Sequence, residues 1–228
     1  MYKESERAKM LETMLQKGVH FGHKKSKWNP HMGPYVYGVR NNTYIIDLNK
    51  TFDMFNAALD YLAQLKKEGK TVLIIGLKTQ SVDIVRELGK KVSMPFVASR
   101  WVGGTLTNFP EISKRIKYFL DLEKKREQGE LAKYTKRERV MFDKEIVTLE
   151  RKWGGIKHMS KLPDALLLLD STEKQAIINE AKEAKIPVVA IVDTNTDPKP
   201  IDYPIPANDD SISSLQFLSG EIAKALTT

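Results

Sequence analysis

The sequence predicts an α/β protein: a doubly wound parallel sheet of about four or five strands, an inserted helical hairpin, and a basic N-terminal extension. Three observations carry that prediction. Residues 71–75 (TVLII), 95–98 (PFVA), 165–169 (ALLLL) and 187–192 (PVVAIV) are apolar without alternation, the pattern of strands buried on both faces. Helix-patterned segments alternate with them, as crossover connections between parallel strands require. Between the second and third of these runs the pattern breaks: residues 111–152 hold 13 Lys/Arg and nine Asp/Glu.

In chain order, MYKESERAKMLETMLQKG reads as an amphipathic helix with Met10, Leu11, Met14 and Leu15 on one face. It has acids and no apolar core of a secretory signal. Residues 17–40, KGVHFGHKKSKWNPHMGPYVYGVR, contain five Lys/Arg, three of the four histidines, two tyrosines, one tryptophan and no acid. Glycines at 18, 22, 33 and 38 and prolines at 30 and 34 exclude one long helix here. Within this region residues 35–37 and 43–46 are short β runs around Gly38 and Asn41-Asn42, a hairpin pattern. Residues 51–67 then place Phe52, Phe55, Leu59 and Leu62 at helical spacing, with Gly69 beyond as a stop.

After the first two apolar strands comes the charged insertion. Ile112, Ile116 and Phe119 share one helical face; Phe142, Ile146, Leu149 and Trp153 share another; Gln128-Gly129 and Thr135 mark a turn between them. Stripes this narrow suit two helices packed on each other as an antiparallel coiled-coil hairpin better than two helices covering a sheet. The expected organisation is therefore an α/β domain over residues 1–109 and 155–228, with the hairpin inserted at 110–154. The loop 193–210 inverts the basic segment: five aspartates against one lysine, held extended by prolines 198, 200, 204 and 206. Ser211 or Asp210 can cap a last helix over residues 212–226.

Composition bounds the function. Net charge is +8, with a pI near 9.4, which favours a polyanionic partner. The chain has no cysteine, so disulfides, Fe–S clusters and thiolate zinc sites are excluded. No apolar run reaches the roughly 18 residues of a spanning helix. The rival class is a nucleotide-binding α/β enzyme. No G-x-G-x-x-G follows a strand and G-x-x-x-x-G-K-[ST] is absent. Gly76-Leu77-Lys78-Thr79 and Gly103-Gly104-Thr105 remain as weak phosphate-cradle candidates. His20 and His23 lack an evident catalytic partner, and no nucleophile elbow is present.

Cations beside flat rings on an irregular backbone suit phosphates and unstacked bases. The candidate RNA contacts are Lys24, Lys25, Lys27, Trp28, Arg40, Arg100 and Trp101; the last two leave a strand beside two glycines that allow close backbone approach. For either tryptophan the competing role is core packing. A second candidate is a metal clamp joining the basic segment to the acidic loop, with His20, Asp193, Asp209 and Asp210 as zinc ligands. Lysine, arginine or RNA-bound magnesium compensating the aspartates is the competing account.

Four motifs carry a family resemblance: GVHFGHKKSKWNPHMGPYVYGVRNNTYIIDLNKT, SRWVGGTLTNF (99–109), GGIKHMSKLPDALLLLD (154–170) and IPVVAIVDTNTDPKPIDYPIPANDD (186–210). Together they resemble the family of the second protein of the bacterial small ribosomal subunit, over residues 11–226. The resemblance implies a flavodoxin-like sheet with the coiled-coil insertion, no catalysis, and contact with small-subunit ribosomal RNA. It further implies neighbouring small-subunit proteins as partners, including the large mRNA-binding protein, with no membrane and no homo-oligomer. Residence is expected in cytoplasmic small subunits, an organellar ribosome also being compatible; the absence of a transit-like leader favours a protein translated where it works. Asp170-Ser171-Thr172, Lys78-Thr79, Thr196 and Ala207 depart from the family's commoner residues.

Overall fold

The computed structural model describes residue 2, residues 4–170 and residues 174–227. Of the departures just named, Ser171 and Thr172 lie outside the described residues. Five parallel strands form the central sheet: β4 (Val72–Ile75), β5 (Phe96–Val97), β6 (Ala165–Leu168), β7 (Val188–Val192) and β8 (Tyr203–Pro206), in the order β5-β4-β6-β7-β8. Counted within this sheet the order is 2-1-3-4-5, the arrangement of flavodoxin-like doubly wound sheets. The four apolar runs are all strands. The fifth, β8, departs from the extended loop that the sequence predicts over 193–210, since Pro204 and Pro206 fall inside the strand. Both prolines are tolerated because β8 pairs only with β7 and forms the sheet's edge.

The absence of alternation has a direct cause. Val72, Ile74, Leu167, Val189 and Ile191 face one buried cluster, with α1 (Glu4–Gln16), α2 (Leu48–Lys67), α3 (Val82–Val92) and α7 (Ile212–Thr227). Leu73, Ile75, Leu166, Leu168, Val188 and Ala190 face the other, with α6 (Lys174–Glu183) and the inserted helices. Neither strand face meets water, so neither can be polar. In α1 the expected face is narrower than the spacing indicated: Met10 and Met14 are buried, whereas Leu15 is 55% exposed.

The insertion forms two helices, α4 (Phe109–Glu127) and α5 (Lys136–Trp153), each running past the other after a reversal at Gly129, whose φ is +74°. Thr135 and Glu138 form a reciprocal capping box that starts α5. The Tyr118 hydroxyl donates to Glu145 across the pair at 3.1 Å. Ile112, Ile116, Phe119, Ile146 and Trp153 bury their side chains in the same cluster as the sheet, so the seam runs into the core without a break.

A second, antiparallel sheet occupies the N-terminal region: β1 (Phe21–Lys24), β2 (Val36–Arg40) and β3 (Thr43–Ile46), in the order β1-β3-β2. The β2–β3 hairpin turns on Asn41 and Asn42, at φ of +47° and +62°, the pair of positive φ values that a tight type I′ turn demands. The sequence showed this hairpin but not β1, whose FGHK is too short and too polar to signal a strand.

Candidate functional site

The basic segment is fastened to the carboxyl ends of β7 and β8. Asn208 N donates to Val19 O at 3.0 Å, Asn29 N to Thr194 O at 2.9 Å, and His23 N to Thr194 Oγ1 at 2.7 Å. Gly22 is required for this approach, because a Cβ there would sit 2.5 Å from Thr194 Cγ2. The opening and closing parts of the chain thus meet at the edge where open α/β sheets present their sites.

His23, not His20, is the imidazole that reaches the aspartates. Its Nδ1 lies 3.0 Å from Asp193 Oδ1 and its Nε2 lies 3.2 Å from Asp210 Oδ2. The His20 ligand assignment is corrected accordingly: the His20 ring packs on Phe21, with centroids 4.1 Å apart, and its buried Nδ1 has no hydrogen-bond partner among the described residues. Burial holds the His20 pKa below its usual value. The reason for the exchange is a bulge. Phe21 pairs with Ile45 and Lys24 with Thr43, so β1 spends three steps where β3 spends two, and a bulge re-aims the side chains around it.

Asp209 turns to a different cation. Lys78 Nζ, following β4, lies 2.6 Å from both Asp209 Oδ1 and Asp210 Oδ1. Burial disfavours the Lys78 ammonium, but the Asp209 and Asp210 carboxylates outweigh it and raise its pKa. The hydrogen bond to Asp193 raises the His23 pKa; burial opposes it, and the charges of Asp193, Asp210 and Asp209 add to it. Asp209 is fully buried and its Oδ2 has no partner among the described residues. Ligand atoms of His23, Asp193 and Asp210 lie within 4.8 Å of one another. One imidazole with carboxylate oxygens is a donor set suited to a divalent ion such as zinc.

Both weak phosphate cradles are filled from within. Asp170, at the end of β6, accepts from Leu77 N at 2.5 Å, Lys78 N at 3.0 Å and the Ser81 hydroxyl. A carboxylate therefore takes the place a phosphate would need at the start of α3, beside the strand-order reversal between β4 and β6. In the second loop, Glu180 Oε1 accepts from Gly104 N at 3.0 Å and Oε2 from Leu106 N at 3.0 Å. Trp101 Nε1 donates to the same carboxylate at 2.9 Å.

That last contact corrects the Trp101 assignment. The ring is 4% exposed and packs in the core, so no face is free for a base; a lone tryptophan beside glycines cannot reveal that its partner is a glutamate 79 positions away. Trp28 is half-buried and stacks on Tyr44 at 5.1 Å. Lys24, Lys25, Lys27 and Arg40 are exposed together on the N-terminal sheet and its flanking turn. Arg100 is exposed too, but it follows β5, at the opposite edge of the parallel sheet from β8.

The sequence comparisons fit this architecture. The family model described as "Ribosomal protein S2" matches residues 14–228. A small ribosomal subunit protein uS2 from Coprothermobacter proteolyticus is 45% identical over 218 residues, covering 95% of this chain and 81% of that protein. The protein of the same name from Nitratiruptor sp. is 43% identical over 216 residues, covering 95% and 81%. That from Chloroflexus aurantiacus is 41% identical over 215 residues, covering 94% and 90%.

Proposed function

The chain belongs to the ribosomal protein S2 family, and from that premise we propose that its N-terminal sheet binds small-subunit ribosomal RNA and helps dock neighbouring proteins of the subunit. The protein is a structural constituent of the small ribosomal subunit in translation, and it is not an enzyme. No described helix is long and apolar enough to cross a membrane.

The observation that carries the RNA reading is the clustering of Lys24, Lys25, Lys27 and Arg40, exposed on a short sheet clamped to the rigid core by Asn29, His23 and Asn208. Holding the cations in place before RNA arrives reduces the ordering cost of binding. Replacing the three lysines with alanine is expected to weaken binding to small-subunit RNA across sequences. It should also lower the slope of log affinity against log salt by about 2 to 3, near one per lost phosphate contact. An unchanged slope in filter-binding titrations removes these lysines from the interface.

The acidic cluster supports a metal clamp, with His23, Asp193 and Asp210 as ligands in place of the set expected from sequence. The unpartnered Oδ2 of buried Asp209 supports a second positive charge here beyond Lys78. An ion at this point would tie β1 to the ends of β7 and β8 and keep the basic segment in register with the sheet. Metal analysis after dialysis is expected to find zinc with the wild-type protein and none with His23→Ala, while His20→Ala retains it. Zinc lost equally from both variants, or absent from wild type, overturns the clamp.

The inserted pair supports a docking role in its outer half, as a coiled-coil arm. Lys157 binds Glu123 at 3.5 Å and Glu150 at 3.7 Å, which anchors the inner turns to the body. Beyond them Tyr134, Val140, Met141 and Val147 remain exposed. Replacing residues 128–139 with a short glycine linker should leave the thermal transition of the domain in place while incorporation into small subunits falls. Loss of the folded domain on this trimming would make the arm part of the core.

A further inference from the structure

Away from the carboxyl edge, a cleft of about 600 Å³ runs along the outer side of β5, the edge strand opposite β8. Its walls are the C-terminal part of α3, the end of α4 and the second half of α5. Five cations line it, Arg86, Lys90, Arg126, Arg151 and Lys152, against two acids, Glu123 and Glu150. Both acids already face Lys157, and Arg86 is turned to Asp83 at 3.2 Å. Among the described residues, Lys90, Arg126, Arg151 and Lys152 have no carboxylate within ion-pair distance. All four are exposed.

The floor is built for close approach. Gly155 lies against the Phe96 backbone and Gly89 against the Phe96 ring, and a Cβ on either would collide with it. A second cavity of about 490 Å³ continues from the first through Lys90, Phe96 and Gly155, and adds His158 and Lys161. Four unpaired cations from three different helices thus converge on one continuous trough. Their mutual repulsion costs stability in the free protein and is relieved by an anion of high linear charge density.

We infer that this trough is a second RNA-binding surface, in which Lys90, Arg126, Arg151 and Lys152 contact the phosphates of a ribosomal RNA strand. The inference rests on the ribosomal reading above but concerns a different face, and none of its residues belongs to the basic N-terminal segment. A polynucleotide suits the trough better than an acidic peptide. Arginine guanidinium groups bind phosphate oxygens in paired fashion, and a phosphate backbone supplies one charge per nucleotide along the trough's length.

The test uses the absence of cysteine from the chain. Small subunits are reconstituted with a Lys152→Cys variant carrying tethered iron–EDTA, and ribosomal RNA cleavage is mapped. In parallel, the Lys90→Ala/Arg126→Ala/Arg151→Ala/Lys152→Ala variant is titrated with small-subunit RNA at several salt concentrations. Cleavage confined to a short RNA segment is expected, with an affinity at least about tenfold lower and a log–log salt slope reduced by about 3 to 4. A wild-type slope in the quadruple variant overturns the inference while leaving the N-terminal interface standing. Iron-dependent damage to a neighbouring protein without RNA cleavage also overturns it. If the wild-type protein does not bind the RNA at all, the functional reading falls and this inference falls with it.

Discussion

Asp170→Ala is expected to lower the unfolding free energy by about 3 kcal/mol, on the scale of losing hydrogen bonds to a charged acceptor and stranding their donors. The side chain is 3% exposed and serves Leu77 N, Lys78 N and the Ser81 hydroxyl at once. Its removal empties the anion position at the start of α3, where backbone N–H groups and the helix dipole favour negative charge. Added sulfate should therefore raise the melting temperature of Asp170→Ala more than that of wild type. Chemical denaturation and sulfate-dependent melting check both parts. An unchanged stability, or an equal sulfate response in the two proteins, contradicts the view that this carboxylate occupies the cradle.

Lys78→Met is expected to cost about 3 to 5 kcal/mol, the range for removing one partner of a buried ion pair. The methylene stem is conserved in size, so the loss reports the charge. Asp209 is fully buried, whereas Asp210 is 51% exposed and can turn to water; the penalty falls on Asp209. Adding Asp209→Asn to Lys78→Met should recover most of the loss, because the stranded charge is then gone. Denaturation of the two single variants and the double variant, with chelator present throughout, gives the coupling energy. Additive losses would show that Lys78 and Asp209 do not act as a pair.

These two residues also mark where sequence reading reaches its limit. The parallel sheet was legible because residues 72–75, 165–168 and 188–192 bury alternate side chains in two separate clusters, which forces an apolar residue at every position. The helices α2, α4 and α5 were legible from their spacing, and the β2–β3 turn from Asn41-Asn42. Contacts between distant segments were not. Nothing in the sequence pairs Asp170 or Glu180 with a partner, yet each carboxylate fills a distant loop, 93 and 76 positions away respectively. Lys78 stands in the sequence within a weak phosphate-cradle candidate, and its partner in the structure is instead Asp209, 131 positions away.

The exchange of His20 for His23 has the same character on a smaller scale. Both lie in one basic motif, and the sequence offers no sign of the bulge that decides which faces Asp193. Trp101 shows the converse error: its flanking glycines do permit close backbone approach, but the group that approaches is Glu180 of the same chain. The exposed cations Lys90, Arg126, Arg151 and Lys152 gave no motif at all, since they come from three helices that only the fold assembles.

The central claim, that this chain serves as a structural, RNA-held constituent of the small ribosomal subunit, is tested most directly by sucrose-gradient sedimentation of cell extract with detection of the protein in each fraction. The account predicts co-migration with the small subunit at low salt and release to the top of the gradient at high salt, because phosphate contacts weaken steeply with ionic strength. Sedimentation with free proteins at low salt would contradict it.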